Sequence, residues 1–337
     1  PCTWSDVYAD NVPDPVNKTW MNTLPDKFAE CTKNALARLA PVRMCVARRY
    51  NNSIMHNRRL RFKDGREINT WLLNNGEENL QCVGAAGPID PEIGVIGFRD
   101  TKNKLRLVLF NFALHANARW GDCFSGDYSA VVASRIRESF GADVITCFLP
   151  GACGDINPVV GFREIGNILA DEIIKSLFVA ETQKVLSIGI TQQRIVLPLR
   201  DASADQNKRL KDSQWPQNCW LLFCDTQRRL RVSGRRNIST IISAWHFNDV
   251  SFCTFPGEAF VELGLFVKQN SPFQWTFPVA LANDYTGYLI TEKACEAGGY
   301  ESLVSSVGLV TPQGSKKILA KNIKMLKSLH RSYIRNK

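Results

Sequence analysis

Apolar and polar positions along this chain repeat with two different periods, and the period changes at clusters of glycine, proline and asparagine. PDKFAECTKNALARL (25–39) carries the three-to-four spacing of a helix, with Phe28, Cys31, Ala35 and Leu39 on one face. VRMCVARRY (42–50) predicts a strand, and residues 56–90, rich in Asn, Gly and Arg, predict a long irregular stretch. EIGVIGFRD and KLRLVLFNFALH then predict two strands joined by a polar turn at Asp100–Asn103. SGDYSAVVASRIRESF reads as a helix capped by Ser125 or Asp127, with Val132, Ile136 and Phe140 as its buried stripe. ADVITCFLP predicts a buried strand running into the glycine-rich turn GACGDINP, and a second helix follows over about 162–178.

The second half repeats the theme without repeating the sequence. SIGITQQRIVLPL, STIISAWHF, VSFCTF and TFPVALAND predict strands; PGEAFVELGLFVKQ predicts a helix, and a last helix covers about 315–335. Residues 201–236 are polar and read as a surface excursion. Strands alternating with helices, with no clear linker, predict a single large α/β or α+β domain: a mixed β-sheet core with flanking helices.

Composition adds limits. The chain has 337 residues, 45% hydrophobic and 22% charged, as ordinary globular proteins do. No apolar run reaches the roughly 18 residues of a membrane span, and no signal peptide is visible. The net charge of +10 is spread out, with short clusters at Arg228, Arg229 and Arg231 and at Arg235 and Arg236. No nucleic-acid module accompanies them, so no nucleic-acid partner is expected. Among 11 cysteines there is no C-x-x-C pair, which argues against a structural zinc ribbon. Cys147, Cys224 and Cys253 sit in apolar stretches, as buried free thiols do. Cys219 and Cys224 are close enough in sequence to pair.

Candidate chemistry is sparse when read residue by residue. Of His56, His115, His246 and His330, only His115 ends a strongly apolar strand, where α/β sheets place ligands. Glu258 follows the turn Pro256–Gly257, in the first turn of the helix predicted there. Tyr285, Tyr288 and Tyr300 cluster with Asn283 and Asp284 after a strand. Each has an ordinary structural explanation: a core histidine, a helix-start acid, packed tyrosines. GACGDINP lacks the Gly-Lys-Ser/Thr ending of a P-loop; its glycines suit close approach of backbone to a substrate or metal.

Taken in order, NRR (57–59), VLFNFALH (108–115), SGDY (125–128), GACGDINP (151–158), FPGE (255–258) and ANDYTGYLIT…GGYE (282–301) resemble the neutral, non-lysosomal ceramidases. The resemblance implies a zinc-dependent hydrolase of an N-acyl bond, acting on a small-molecule or sphingolipid substrate. Its zinc ion, the implied cofactor, is held by two His, one Glu and one Tyr; His115, Glu258 and Tyr288 match three of these. Tyr300 matches a second active-site tyrosine and Arg58 the active-site arginine, with Arg59 alongside as the alternative. A secreted, periplasmic or membrane-associated setting is also implied.

Two departures stand out. The family's first histidine ligand belongs to an HTHSGP-like segment that this sequence lacks; Pro1 matches the end of such a motif, which predicts that the histidines lie just upstream. Asn157 stands where the family has its catalytic serine, and an amide can orient a substrate or a water but is no nucleophile. Three readings stay open: a ceramidase-like amidase, a hydrolase of another acylated substrate such as an N-acyl amino sugar or ester, and a non-catalytic binding homologue. The last helix places Leu319, Ile323, Leu326 and Tyr333 on one face and Lys317, Lys321, Lys324, Arg331 and Arg335 on another. Such a helix suits peripheral contact with an anionic membrane, or packing on the domain with a solvated basic face.

Overall fold

Two mixed sheets pack face to face between two layers of helices in the computed structural model, which describes residues 18–73, 81–119, 123–201, 227–228, 231–304 and 307–335. The first sheet contains β1 (Val42–Tyr50), β6 (Glu92–Asp100), β7 (Leu105–Phe112), β8 (Ile145–Pro150) and β10 (Thr182–Gln183), in the order β10-β1-β6-β7-β8. The second contains β11 (Ile188–Pro198), β12 (Asn237–Phe247), β13 (Val250–Thr254) and β15 (Trp275–Val279), in chain order.

Each sheet is antiparallel until its last pairing. β7 pairs in parallel with β8, and β13 with β15. A parallel neighbour needs a crossover. These are α2 (Asp127–Phe140), and α4 (Val261–Asn270) on the other sheet; α1 (Lys18–Ala37) precedes both. The segments leaving the carboxyl ends of β7 and β13 carry His115 and Glu258, so the fold places both where such units bind ligands.

The layers follow from side-chain alternation along the strands. One face of the first sheet packs Val95, Val108 and Phe110 against α2 and α3 (Phe162–Val179), which supply Val132, Ile136, Leu169 and Ile173. The other face meets the second sheet through Met44 and Ile96 against Phe252 and Phe277. Gly94 on β6 makes that approach possible, since a Cβ there would lie 2.2 Å from the Phe277 ring. The outer face of the second sheet is covered by α4 and by the C-terminal helix α6 (Pro312–Arg335), which bury Ile195, Ile242, Val267, Ile318, Met325 and Leu326 together. The short helix α5 is Glu292–Ala297.

Several sequence expectations change. The stretch 56–90 is not irregular: β2 (Met55–Asn57) pairs with β9 (Ile156–Pro158), while β3 (Arg59–Phe62), β4 (Glu67–Asn69) and β5 (Cys82–Ala85) form a three-stranded sheet. Its strands are too short for a readable alternation. β8 is an edge strand rather than a buried one, with Ile145 65% exposed and Cys147 exposed, whereas Cys253 is buried. The apolar face predicted on α1 is solvent-facing, with Phe28 and Leu39 both exposed. The strand predicted over 276–284 stops at Val279, because Leu281 and Asn283 adopt positive φ. Neither Ser125 nor Asp127 caps α2, whose N-cap is Gly126 with no side-chain cap bond; Ser125 Oγ instead accepts from the Asp127 N–H and Asp127 Oδ1 from the Tyr128 N–H. Most of the excursion 201–236, with Cys219 and Cys224, lies outside the described residues. Every described cysteine carries a free thiol.

Candidate active site

Two short strand pairs assemble the site. β14 (Glu258–Ala259) runs parallel to β16 (Tyr288–Leu289) with Glu258 directly opposite Tyr288, fixed by the bonds Glu258 N–H to Gly287 O (3.0 Å) and Phe260 N–H to Leu289 O (3.0 Å). Glu258 therefore sits on a strand and not in the first turn of a helix, which begins only at Val261. The β2–β9 pair places His56 opposite Asn157, and the Arg58 N–H donates to Asp155 O at 2.8 Å. The loop 151–155 lies against both halves. A Cβ on Gly154 would meet the Glu258 carbonyl at 2.6 Å, and the Gly154 N–H donates to Ala259 O. Backbone comes close to both glycines of the loop, Ala113 to Gly151 and Glu258 to Gly154.

His115 is held by its ring. Nδ1 lies 2.9 Å from Ile156 O, so that nitrogen carries a proton and Nε2 is turned to Glu258 Oε2 at 3.0 Å. The Tyr285 hydroxyl donates to Glu258 Oε1 at 2.7 Å, and the Tyr288 hydroxyl also bonds this carboxylate. Arg58 Nη2 donates to Tyr288 Oη at 3.0 Å and Nη1 to Asn157 Oδ1 at 3.3 Å. Trp71 lies under the Arg58 guanidinium, 4.8 Å from its ring centroid, and Tyr300 packs edge-on to both Trp71 and Tyr288. All six residues singled out in the sequence, Arg58, His115, Asn157, Glu258, Tyr288 and Tyr300, thus meet in one cluster.

The two arginines differ in their partners. Arg59 is 1% exposed and bound to Glu67 Oε2 (2.8 Å), Glu301 Oε2 (2.6 Å) and the carbonyls of Ala294 and Gly298. Every contact it makes is structural. Arg58 shares Glu301 with it (Nη2 to Oε1, 2.7 Å) but turns toward Tyr288 and Asn157.

Electrostatics follow from burial and these contacts. Burial alone would raise the Glu258 and Glu301 carboxyls; His115 and the two tyrosines outweigh it at Glu258, Arg58 and Arg59 at Glu301, and both end below their ordinary values. Burial opposes a charged ring at His115, yet the adjacent Cys153 and Glu258 push it up to about 10. Tyr288 is raised by burial, against the pull of Arg58, and keeps its proton. Asp155 is pushed up to about 6 by burial, offset in part by bonds from the Val261 N–H and Asn57 Nδ2.

His115 Nε2, the Glu258 carboxylate and the Tyr288 hydroxyl form a donor set of the kind that holds zinc. Two tetrahedral ligands at about 2.0–2.2 Å from a common ion stand roughly 3.3–3.6 Å apart; His115 and Glu258, at 3.0 Å, are at hydrogen-bond distance and would part by a few tenths of an ångström around an ion. Two lone pairs facing each other at that distance need a cation between them, either a proton or a metal ion. Among the described residues no group of three His, Cys, Asp or Glu side chains is arranged for a metal; here the third donor is a phenol. His56 and His246 serve elsewhere. His56 Nε2 lies 3.4 Å from Thr70 Oγ1, and His246 Nδ1 2.9 Å from Asn248 O. His330 packs on Phe273 and Tyr333.

Glu301 and Cys153 were not singled out in the sequence, and Tyr285 was named there only as a neighbour of Tyr288. Glu301 had one available signal, an acid beside Tyr300 in GGYE; its partners lie 242 and 243 positions away and no local pattern reveals them.

Two mixed sheets packed back to back between helices, with a His–Glu–Tyr–Arg cluster at the strand ends, define an α/β fold that builds its site from two crossover units. That fold is the neutral ceramidase fold. The chain superposes on the crystal structure of neutral ceramidase from Pseudomonas aeruginosa with a TM-score of 0.62 at 17% identity, over 92% of this chain and 56% of that one. A ceramidase complexed with C2 aligns with a TM-score of 0.59 at 15% identity, over 89% and 55%. The chain spans a little over half the length of these structures. No family model matches the sequence, and no curated protein matches it by sequence.

Proposed function

We propose that this chain is a ceramidase-like hydrolase of an N-acyl bond, with zinc held by His115, Glu258 and Tyr288. One observation carries the reading: His115 Nε2 and Glu258 Oε2 face each other at 3.0 Å while Nδ1 is committed to a backbone carbonyl. That arrangement is how proteins fix the ligating nitrogen of a metal-bound histidine. Zinc bound there would polarise a scissile carbonyl and lower the pKa of a water toward about 7.

The chain's own groups supply the rest. Arg58, positioned by Glu301 and stacked on Trp71, offers a fixed positive charge for the developing oxyanion, with Tyr300, packed edge-on to Tyr288, as a second donor. Asn157, held by Arg58 Nη1, orients the substrate amide or a water through its carboxamide. Tyr285 keeps the Glu258 carboxylate turned toward His115.

A second reading, hydrolysis of another acylated substrate, is favoured by Asn157 standing at the serine position of ceramidases. The test is a panel of N-acyl sphingosine, an N-acyl amino sugar and an acyl ester, assayed for fatty-acid release by the full chain. Release from the sphingosine amide supports the first reading. Release only from the others supports the second, and release from none leaves a binding homologue. With a lipid substrate, the exposed Lys324 and Arg331 on α6 would touch an anionic membrane electrostatically, since the apolar side of that helix is buried on the second sheet.

A further inference from the structure

Beside this cluster an open groove of about 510 Å³ runs between the β11–β12 hairpin and the loop that follows β15. Arg194 and Arg235 stand on the β11–β12 side and Asn283 and Asp284 on the loop side, with Ile241 between. Neither arginine has an ion-pair partner among the described residues. Arg194 makes one long bond to Ser239 Oγ (3.4 Å), whereas the neighbouring Arg236 lies 3.7 Å from Asp201.

The far wall is rigid and joined to the active cluster. Asn283 Nδ2 donates to Ser243 Oγ (3.1 Å) and Thr254 Oγ1 (3.0 Å), holding a residue whose φ is 73°. Two positions on, Tyr285 donates to Glu258. A molecule lying in the groove therefore has its inner end beside the segment that orients the site.

We infer that the groove is a headgroup subsite for an acylated molecule bearing an anionic group. Two guanidinium groups without carboxylate partners recognise a carboxylate or phosphate. Ile241 accepts apolar chain, and Asp284 accepts an amide or hydroxyl proton. The assignment deepens the hydrolase reading and rests on it only for what becomes of the bound molecule.

Calorimetric titration of the full chain with N-octanoylglycine and with its neutral amide, N-octanoylglycinamide, tests it. The acid should bind about tenfold more tightly, the worth of one charge-assisted contact at a solvent-open site. The preference should vanish in the Arg194→Gln/Arg235→Gln variant and persist in Lys102→Gln, which removes one positive charge in a distant turn. Equal affinities in the wild type, a preference surviving the double change, or one lost in Lys102→Gln would overturn the inference. Octanoate release, followed separately, keeps the two readings apart. Acid preference without release leaves the groove standing and removes the hydrolase. Release without preference does the reverse.

Discussion

Glu301 offers the sharpest test of how the site is held. Its carboxylate is 0% exposed and receives Arg58 Nε and Nη2, Arg59 Nη1 and Asn69 Nδ2, at 2.9, 2.7, 2.6 and 2.8 Å. With Glu67 on the other side of Arg59, the buried group holds two positive and two negative charges and is neutral. Glu301→Gln keeps the volume and removes one negative charge, leaving an uncompensated guanidinium inside the protein. Breaking a buried pair in this way costs about 3–5 kcal/mol, a large part of the roughly 5–15 kcal/mol a domain has in hand. Urea denaturation at pH 7, fitted at constant m, measures it. The carboxyl is held below its ordinary value, so its contribution is complete above the usual carboxylate range and fades as pH falls through the lowered one. The gap between wild type and variant should therefore close in acid. A loss under about 1 kcal/mol, the scale of an exposed pair, would refute the reasoning.

Three further outcomes follow from the same geometry. Both Arg58→Leu and Arg59→Leu should cost stability, since each leaves the buried Glu301 short of a partner, but only Arg58→Leu should also lower kcat by roughly 100- to 1000-fold, the usual loss for one oxyanion donor; steady-state kinetics under conditions where both variants are folded separates them. Asp155 is raised from 3.8 to about 6 by burial, so folding favours its neutral form. Relative to Asp155→Asn, wild-type stability should decline by about 3 kcal/mol between about pH 4 and pH 7 and then level off, as urea titrations at several pH values would show. For the basic face of α6, Lys324→Gln/Arg331→Gln should weaken sedimentation with anionic vesicles by about 1 kcal/mol per charge, and salt should abolish it; unchanged binding would rule out the contact.

Long elements were legible because their burial repeats. β6, β7, α2 and α3 lie close to where the spacing of Val95, Phe110, Val132 and Leu169 puts them. The short strands were not, because two or three residues carry no period. Yet β14 and β16 bring Glu258 opposite Tyr288, and β2 and β9 set the Arg58 segment beside Asn157. The helix predicted from Pro256 starts late for the same reason: backbone pairing with 287–289, invisible locally, outcompetes it. His115 showed in the sequence as the polar end of an apolar strand. Tyr285 and Tyr288 read alike by local pattern and the family resemblance alone picks Tyr288; the fold adds that Tyr285 bonds Glu258 Oε1 and Tyr288 meets Arg58. The Arg58–Glu301 link joins residues from opposite ends of the chain, so it rests on topology alone.

The central claim is that His115, Glu258 and Tyr288 hold a metal ion. Elemental analysis of the purified full chain after dialysis against trace zinc, beside His115→Ala and Tyr288→Phe, tests it most directly. The wild type should retain roughly one zinc per chain, and both variants should lose most of it while keeping their fold by circular dichroism. A wild type that retains no zinc, or a folded His115→Ala protein that retains it in full, would contradict the account.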